Sequence, residues 1–359
     1  MSALAPWLQD PLQRALDALV SERLAHALLI CGPAHIGKRT FADALAKTLL
    51  CRERVEGAAC GHCRSCVLFD LHAPVDPREV RPDGNLVHPD GRRGHPDFRI
   101  VSYELNEKAK PIKMFGVITV DQMRDLGGWF ALTSQRGGAQ VALIEPANAM
   151  NENASNALLK TLEEPMRDRY LLLLCESPMQ LSATIRSRCQ RVELQPPSAP
   201  TGLDWLRARG HDDAVARSAL GAARGHPGLA AHWIEQGLLA LRESVRADLA
   251  AIAAGRKPPL AVAAAWLADD QVEQRLAFAA DIAIDLHAEA SGAYSDAAVA
   301  GSARSAGARL TVAPDFPKLS AWFDAANRTR ALLRTPIRSD LAVAGLLRDW
   351  RIAISTRSA

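Results

Sequence analysis

Gly32-Pro33-Ala34-His35-Ile36-Gly37-Lys38 is a G-x-x-x-x-G-K run. In that pattern the glycines let backbone N–H groups converge on phosphate oxygens, the helix N-terminus adds positive potential, and the lysine reaches the terminal phosphates. The run follows the apolar stretch Ala27–Cys31 and opens a helical pattern with Phe41, Leu45, Leu49 and Leu50 on one side. That is the strand–loop–helix setting a phosphate loop requires. The bland alternative is a tight strand–helix turn that holds no nucleotide. Gly32, Gly37 and Lys38 are therefore the candidate nucleotide-binding residues, and whether ATP still binds is left open. The next residue should be Ser or Thr to hold Mg²⁺, but it is Arg39. Thr40 cannot stand in, because one helical step turns a side chain by about 100°. A second defect lies downstream. Val141–Ile144 reads as the strand that should end in metal-binding acids, yet it ends in Glu145-Pro146. Glu145 can still face a metal, but a proline stands where a catalytic acid is expected. Binding can survive both changes; metal-assisted hydrolysis is not expected to.

Four of the seven cysteines are bunched as Cys51-x8-Cys60-x2-Cys63-x2-Cys66. Short C-x-x-C knuckles let two thiolates meet one tetrahedral ion, and zinc takes four sulfurs with no position left for water. The expectation is a structural zinc. An iron–sulfur cluster is the rival, although the x3-C-P ending of the ferredoxin run is missing; free thiols are the third reading, and His62 could replace one cysteine. Cys31, Cys175 and Cys189 sit in or beside apolar segments and read as small core residues.

The elements that must position these residues follow from periodicity. A helix is expected within 12–24, strands at Ala27–Cys31, Phe98–Tyr103, Gln140–Ile144, Tyr170–Cys175 and Val192–Leu194, and helices at Phe41–Leu50, Val120–Leu132 and Asn151–Glu163. Strands alternating with helices imply a parallel sheet covered on both faces. Residues 72–97 carry five prolines (74, 77, 82, 89, 96) and read as an irregular loop. Pro196-Pro197 marks a domain boundary, and from 203 onward the pattern is helical and alanine-rich, interrupted by a mobile Gly/Ser/Ala stretch at 290–307. With 359 residues, the chain has room for two to three domains of roughly 150 residues each. A balance of 43 Lys+Arg against 40 Asp+Glu argues against a nucleic-acid sponge or a membrane-surface binder. No run approaches the roughly 18 apolar residues of a membrane span, and the N-terminus has no secretory pattern, so a cytoplasmic location is expected.

The run Glu145–Pro165 (EPANAMNENASNALLKTLEEP), followed by Ser187-Arg188-Cys189, resembles the bacterial clamp-loader subunits, AAA+ proteins that open the sliding clamp of a replicative DNA polymerase. The cysteine module after the phosphate-loop helix fits the same group, and the resemblance covers roughly residues 10–235. It implies an α/β AAA+ P-loop domain over 1–196, with a zinc module at 51–66 and a loop insertion at about 70–97. A helical lid at 197–238 and an all-α collar that oligomerises the subunits at 239–359 complete the implied fold. Active ATPase members keep the P-loop Thr, paired acids and a nucleotide-sensing arginine at the lid helix. This chain has Arg39, Pro146 and Gly228 at those places, which resembles the non-hydrolysing members. The resemblance also implies that Arg188 is an arginine finger acting in trans. The implied partners are the ATPase and clamp-opening subunits, with the sliding clamp and primed DNA reached through the complex. Without the resemblance, Arg186, Arg188 and Arg191 read as a solvated basic edge. A self-sufficient ATPase, or a zinc-bearing nucleic-acid-binding protein on this scaffold, are the other functional readings. The insertion, whose charges nearly cancel, is expected to be solvent-exposed, and the local +6 between 299 and 359 to be a solvated face.

Overall fold

The computed structural model describes residues 4–82, 84, 86–106, 113–290, 316–333 and 338–354. The expected mobile stretch lies almost entirely outside these residues, as do Arg304, Arg309, Asp315, Arg334 and Arg357 of the basic C-terminal segment. The chain divides into two compact units, Met1–Pro196 and Pro197–Ala359.

In the first unit, helix α1 (Pro6–Val20) precedes strand β1 (Ala27–Cys31), helix α2 (Lys38–Leu50) and the short helix α3 (Arg64–Asp70). Strand β2 (Phe98–Val101) and a small antiparallel ribbon of β3 (Leu105–Asn106) and β4 (Lys113–Met114) follow. Then come α4 (Val120–Ala131), β5 (Gln140–Ile144), α5 (Glu152–Glu163), β6 (Arg169–Cys175), α6 (Ala183–Arg188) and β7 (Gln190–Glu193). Five strands form one parallel sheet in the order β2-β5-β6-β1-β7. Every residue of β1 and β5 is buried, as a sheet covered by helices on both faces demands. β7 is an edge strand with Gln190, Arg191 and Glu193 exposed; its polar start hides it from apolar-run reading, and it begins two residues before the expected Val192. Helices α4 and α5 pack an apolar layer of Met123, Leu126, Phe130, Ala154, Leu158 and Leu162 against one sheet face. Each has a local reason to start. Thr119 and Gln122 make a capping box for α4, and the Asn151 side chain accepts from the Ala154 N–H to start α5.

The order matters for the site. β6 lies between β1 and β5, so the loop after β1 and the residue after β5 meet above the carboxyl ends of the strands, where α/β sheets place ligands.

Every described element after residue 197 is helical. One apolar core runs through these helices, from Leu206, Ala216 and Trp233 to Val245, Trp266, Phe278, Leu347 and Trp350. Buried indole N–H groups are satisfied: Trp322 donates to the Leu346 carbonyl at 2.8 Å and Trp350 to the Leu249 carbonyl at 3.0 Å. Asp285 gathers Arg224 (2.8 Å), Arg242 (2.5 Å) and Arg246 (3.6 Å). These contacts tie the residues before 238 to those after it, so both sides share a single core.

Candidate functional site: the Gly32–Lys38 loop and its charged neighbours

The Gly32–Lys38 turn joins β1 to α2, the strand–loop–helix setting that the sequence implies. A Cβ on Gly32 would stand 2.6 Å from the Leu194 carbonyl oxygen, and one on Gly37 2.7 Å from Leu8 Cδ1, with Gly37 also at φ +98°. Only glycine fits at either point. Helix α1 braces the loop from outside: the Trp7 indole donates to the Ile36 carbonyl at 2.9 Å. Lys38 folds back on the loop, its Nζ donating to the carbonyls of Gly32 and Pro33 at 2.8 Å each. Burial pushes the Lys38 amine below its ordinary range.

Beside this turn, Glu145 and Asp43 are paired with arginines. Arg39 Nη1 lies 2.5 Å from Glu145 Oε2 and its Nε 3.2 Å from Asp43 Oδ1. Arg81 Nη2 reaches the same Glu145 oxygen at 3.2 Å. Burial alone would raise the Glu145 carboxyl, but the two guanidiniums outweigh it and hold the group ionised below its ordinary range. Burial likewise disfavours charge on Arg39, and Asp43 and Glu145 reverse that effect. Glu145 therefore does not stand free to face a metal. Gly228 lies in the first turn of the helix Pro227–Glu235, which is capped by His226.

Arg81 comes from the 72–97 segment, which is solvent-exposed along much of its described length, as expected, but carries a buried minority that fixes it in place. Val87, His88, His95, Asp97 and the carboxylate-bearing Glu79 are all buried. The segment folds on itself through Gly94 N–H to Leu71 carbonyl, Ala73 N–H to Arg92 carbonyl and Val87 N–H to Glu79 carbonyl, each at 2.8 Å. Arg93 lies 2.5 Å from Asp43 and sits over the Phe69 ring at 4.4 Å. Asp97 accepts from Gln135 N–H, Arg136 N–H and the Ser134 hydroxyl at 2.8–3.0 Å, anchoring the segment's exit. The near-cancelling charges are pairs: Glu79 with Arg92 and Asp76 with Arg78.

The four cysteines converge. Sγ separations of 3.6 Å (Cys51–Cys60), 3.8 Å (Cys51–Cys63) and 4.0 Å (Cys60–Cys66) match the edge of about 3.8 Å of a tetrahedron with metal–sulfur bonds of about 2.3 Å. Backbone N–H groups of Cys60 and Cys63 point at the sulfurs of Cys51 and Cys60. Burial pushes the Cys51 and Cys66 thiols up. At Cys63 burial acts the same way, but backbone donors at Cys66 and Arg52 overcome it and bring the thiol down to about 6. The group can hold one metal ion. His62 is 73% exposed and faces Glu53 at 4.0 Å, outside the four-sulfur set. Cys31 and Cys175 are buried as expected, and Cys189 is half-buried.

Arg188 lies apart from both. It is on the last turn of α6, 35% exposed, held 2.7 Å from Glu163 at the end of α5. Arg186 and Arg191 point elsewhere, to Met179 and Glu193. Sequence reasoning missed Arg81, Asp43 and Arg93; no periodic signal marks them, because they meet through a loop.

A G-x-x-x-x-G-K loop after β1 and a parallel sheet in which β6 separates β1 from the acid-bearing β5 make this unit an α/β domain of P-loop type. A family model described as DNA polymerase III, delta subunit matches residues 9–198, more than half of the chain, and the chain belongs to that family. It is similar to DNA polymerase III subunit delta' of Pseudomonas aeruginosa, 39% identical over 208 residues, covering 57% of this chain and 53% of that protein. The corresponding protein of Haemophilus influenzae is 31% identical over 246 residues, covering 68% and 65%. That of Escherichia coli K12 is 30% identical over 201 residues, covering 56% and 52%. The chain thus spans about half to two thirds of the length of these curated relatives. No described helix is long and apolar enough to cross a membrane.

Proposed function

We propose that the chain is a non-hydrolysing, delta-prime-like subunit of a clamp loader in the bacterial cytoplasm. It helps hold together the assembly that places the sliding clamp on primed DNA. Its partners are the ATPase subunits and the clamp-opening subunit; residues 197–238 act as the lid and 239–359 as the oligomerising collar. The observation that carries this reading is Glu145, the one acid left at the end of β5, which is bound by Arg39 and Arg81 instead of facing a metal. A site so neutralised cannot collect Mg²⁺ and polarise an attacking water.

Arg188 supplies the remaining chemistry. A guanidinium reaching a neighbour's γ-phosphate stabilises the charge that spreads over its equatorial oxygens during transfer. Glu163 pre-orients that guanidinium without burying it, since both side chains are open to solvent. The four cysteines hold a structural zinc, with every coordination position filled by sulfur.

The test is ATP hydrolysis by this chain alone, then mixed with ATPase subunits, clamp-opening subunit, clamp and primed DNA. Silence alone is expected, with turnover in the mixture depressed by Arg188→Ala on the order of 10³-fold and assembly unchanged by gel filtration. Turnover by the isolated chain that Lys38→Ala abolishes would instead identify a self-sufficient ATPase. Salt-dependent DNA binding without partners would identify a nucleic-acid-binding protein on this scaffold.

A further inference from the structure

We infer that the 72–97 segment is an intramolecular plug: it closes the divalent-cation position of the phosphate-loop site, with Arg81 and Arg39 standing in the place of the ion at Glu145. The inference rests on the non-hydrolysing reading and explains how that state is held.

Two guanidiniums converge on one carboxylate oxygen, from two separate segments of the chain. Arg39 comes from α2 at 2.5 Å and Arg81 from the segment at 3.2 Å. The Arg81 and Glu145 side chains are each only 15% exposed, so the pair is shielded and its charges are weakly screened. A substitution of Arg39 alone would leave Arg81 on the acid. The plug is therefore a second closure, independent of the phosphate-loop change.

The segment is built to stay in place. Arg93, 9% exposed, bonds Asp43 on α2, donates to the Phe69 carbonyl at 3.2 Å and stacks on the Phe69 ring. Gly91, at φ +82°, passes so close to the chain that a Cβ would lie 1.9 Å from the Ala73 carbonyl oxygen. The result is an alternating row, Arg81–Glu145–Arg39–Asp43–Arg93, in which every carboxylate is held by two guanidiniums. Such a row is costly to break at one member, because each deletion strands a shielded charge. A Mg²⁺-bound nucleotide would have to displace two guanidiniums from Glu145 before the acid could serve the ion.

Manganese(II) with ATP is the probe, followed by loss of the free-ion electron paramagnetic resonance signal in the presence of the full-length chain. The wild-type chain is expected to leave the signal unchanged. The Arg39→Thr/Arg81→Gln double variant is expected to take up one Mn²⁺–ATP per chain, about tenfold tighter or more than wild type, and adding Glu145→Gln should abolish the gain. A double variant with intact circular dichroism and zinc content that takes up no more Mn²⁺–ATP than wild type overturns the plug and leaves the non-hydrolysing reading standing. Uptake by the wild-type chain overturns it too. ATP hydrolysis by the isolated wild-type chain overturns the non-hydrolysing reading itself. If the double variant does not fold, Arg81→Gln alone decides by hydrogen exchange. A rise of about tenfold in exchange rate across peptides of 72–97 supports the plug, and unchanged rates overturn it.

Discussion

The cysteine module and the phosphate loop lie at the two ends of α2, and each is a place where this fold could hold an ion. At the C-terminal end four sulfurs stand at separations that suit one tetrahedral metal, with no positive side chain among them. At the N-terminal end the acid that would serve a metal is surrounded by arginines. The two ends differ in what completes the charge. Four sulfurs packed this closely can share one metal ion taken from solution, whereas Glu145 finds its cations within the chain. One site can thus hold an ion, and the other has its acid already paired, within a single domain.

Stripping the metal should have the largest effect. A strong chelator, or Cys66→Ser, should remove the proposed zinc and lower the melting midpoint by more than about 10 °C, measured by calorimetry with parallel metal analysis. Magnesium addition or removal should not move the midpoint. An unchanged midpoint on chelation would erase the contrast between the ends.

Next comes the central acid of the arginine row. Glu145→Ala strands the shielded Arg81 guanidinium, leaves Arg39 only Asp43, and should cost about 3–5 kcal/mol by urea unfolding. A cost near that of an ordinary surface substitution would mean that Arg39 and Arg81 find solvent instead.

His88 sharpens the role of the segment. It is buried, and burial, then Arg92, push its pKa down to about 4, against the opposing pull of Glu79. The folded state refuses a proton that the unfolded chain accepts below about 6.5. Stability should therefore fall as pH drops from about 6.5 towards 4, by up to roughly 3 kcal/mol. His88→Gln should flatten that part of the profile in unfolding titrations. A variant with the same slope would place the loss elsewhere.

The smallest effect is expected at Arg188. Its pair with Glu163 is open to solvent, so Arg188→Ala should change stability by less than about 0.5 kcal/mol. A larger loss in thermal unfolding would return Arg188 to a structural role and weaken the trans-finger reading.

Much of this was legible in the residues. β1 and β5 fall on the expected Ala27–Cys31 and Gln140–Ile144 because buried parallel strands are unbroken apolar runs. α5 follows its Asn151 cap and stops before Pro165. The four cysteines converge because their spacing leaves the backbone little choice. The short helices α3 and α6 were not legible: with seven and six residues, they are too short to display a period. Nor was the state of the 72–97 segment, whose prolines and glycines mark irregularity but carry no signal for burial.

The sequence by itself determined a G-x-x-x-x-G-K pattern followed by Arg39, a run of four closely spaced cysteines and Arg188 in its Ser-Arg-Cys triplet, all of them local patterns. The tertiary structure decided what Glu145, Asp43 and Arg188 face. Those contacts join residues 106 apart for Arg39 and Glu145 and 50 apart for Arg93 and Asp43. The physical reason is that an ion pair has no periodicity: it depends only on where two chain segments come to rest, and that is set by how the loop packs on the sheet.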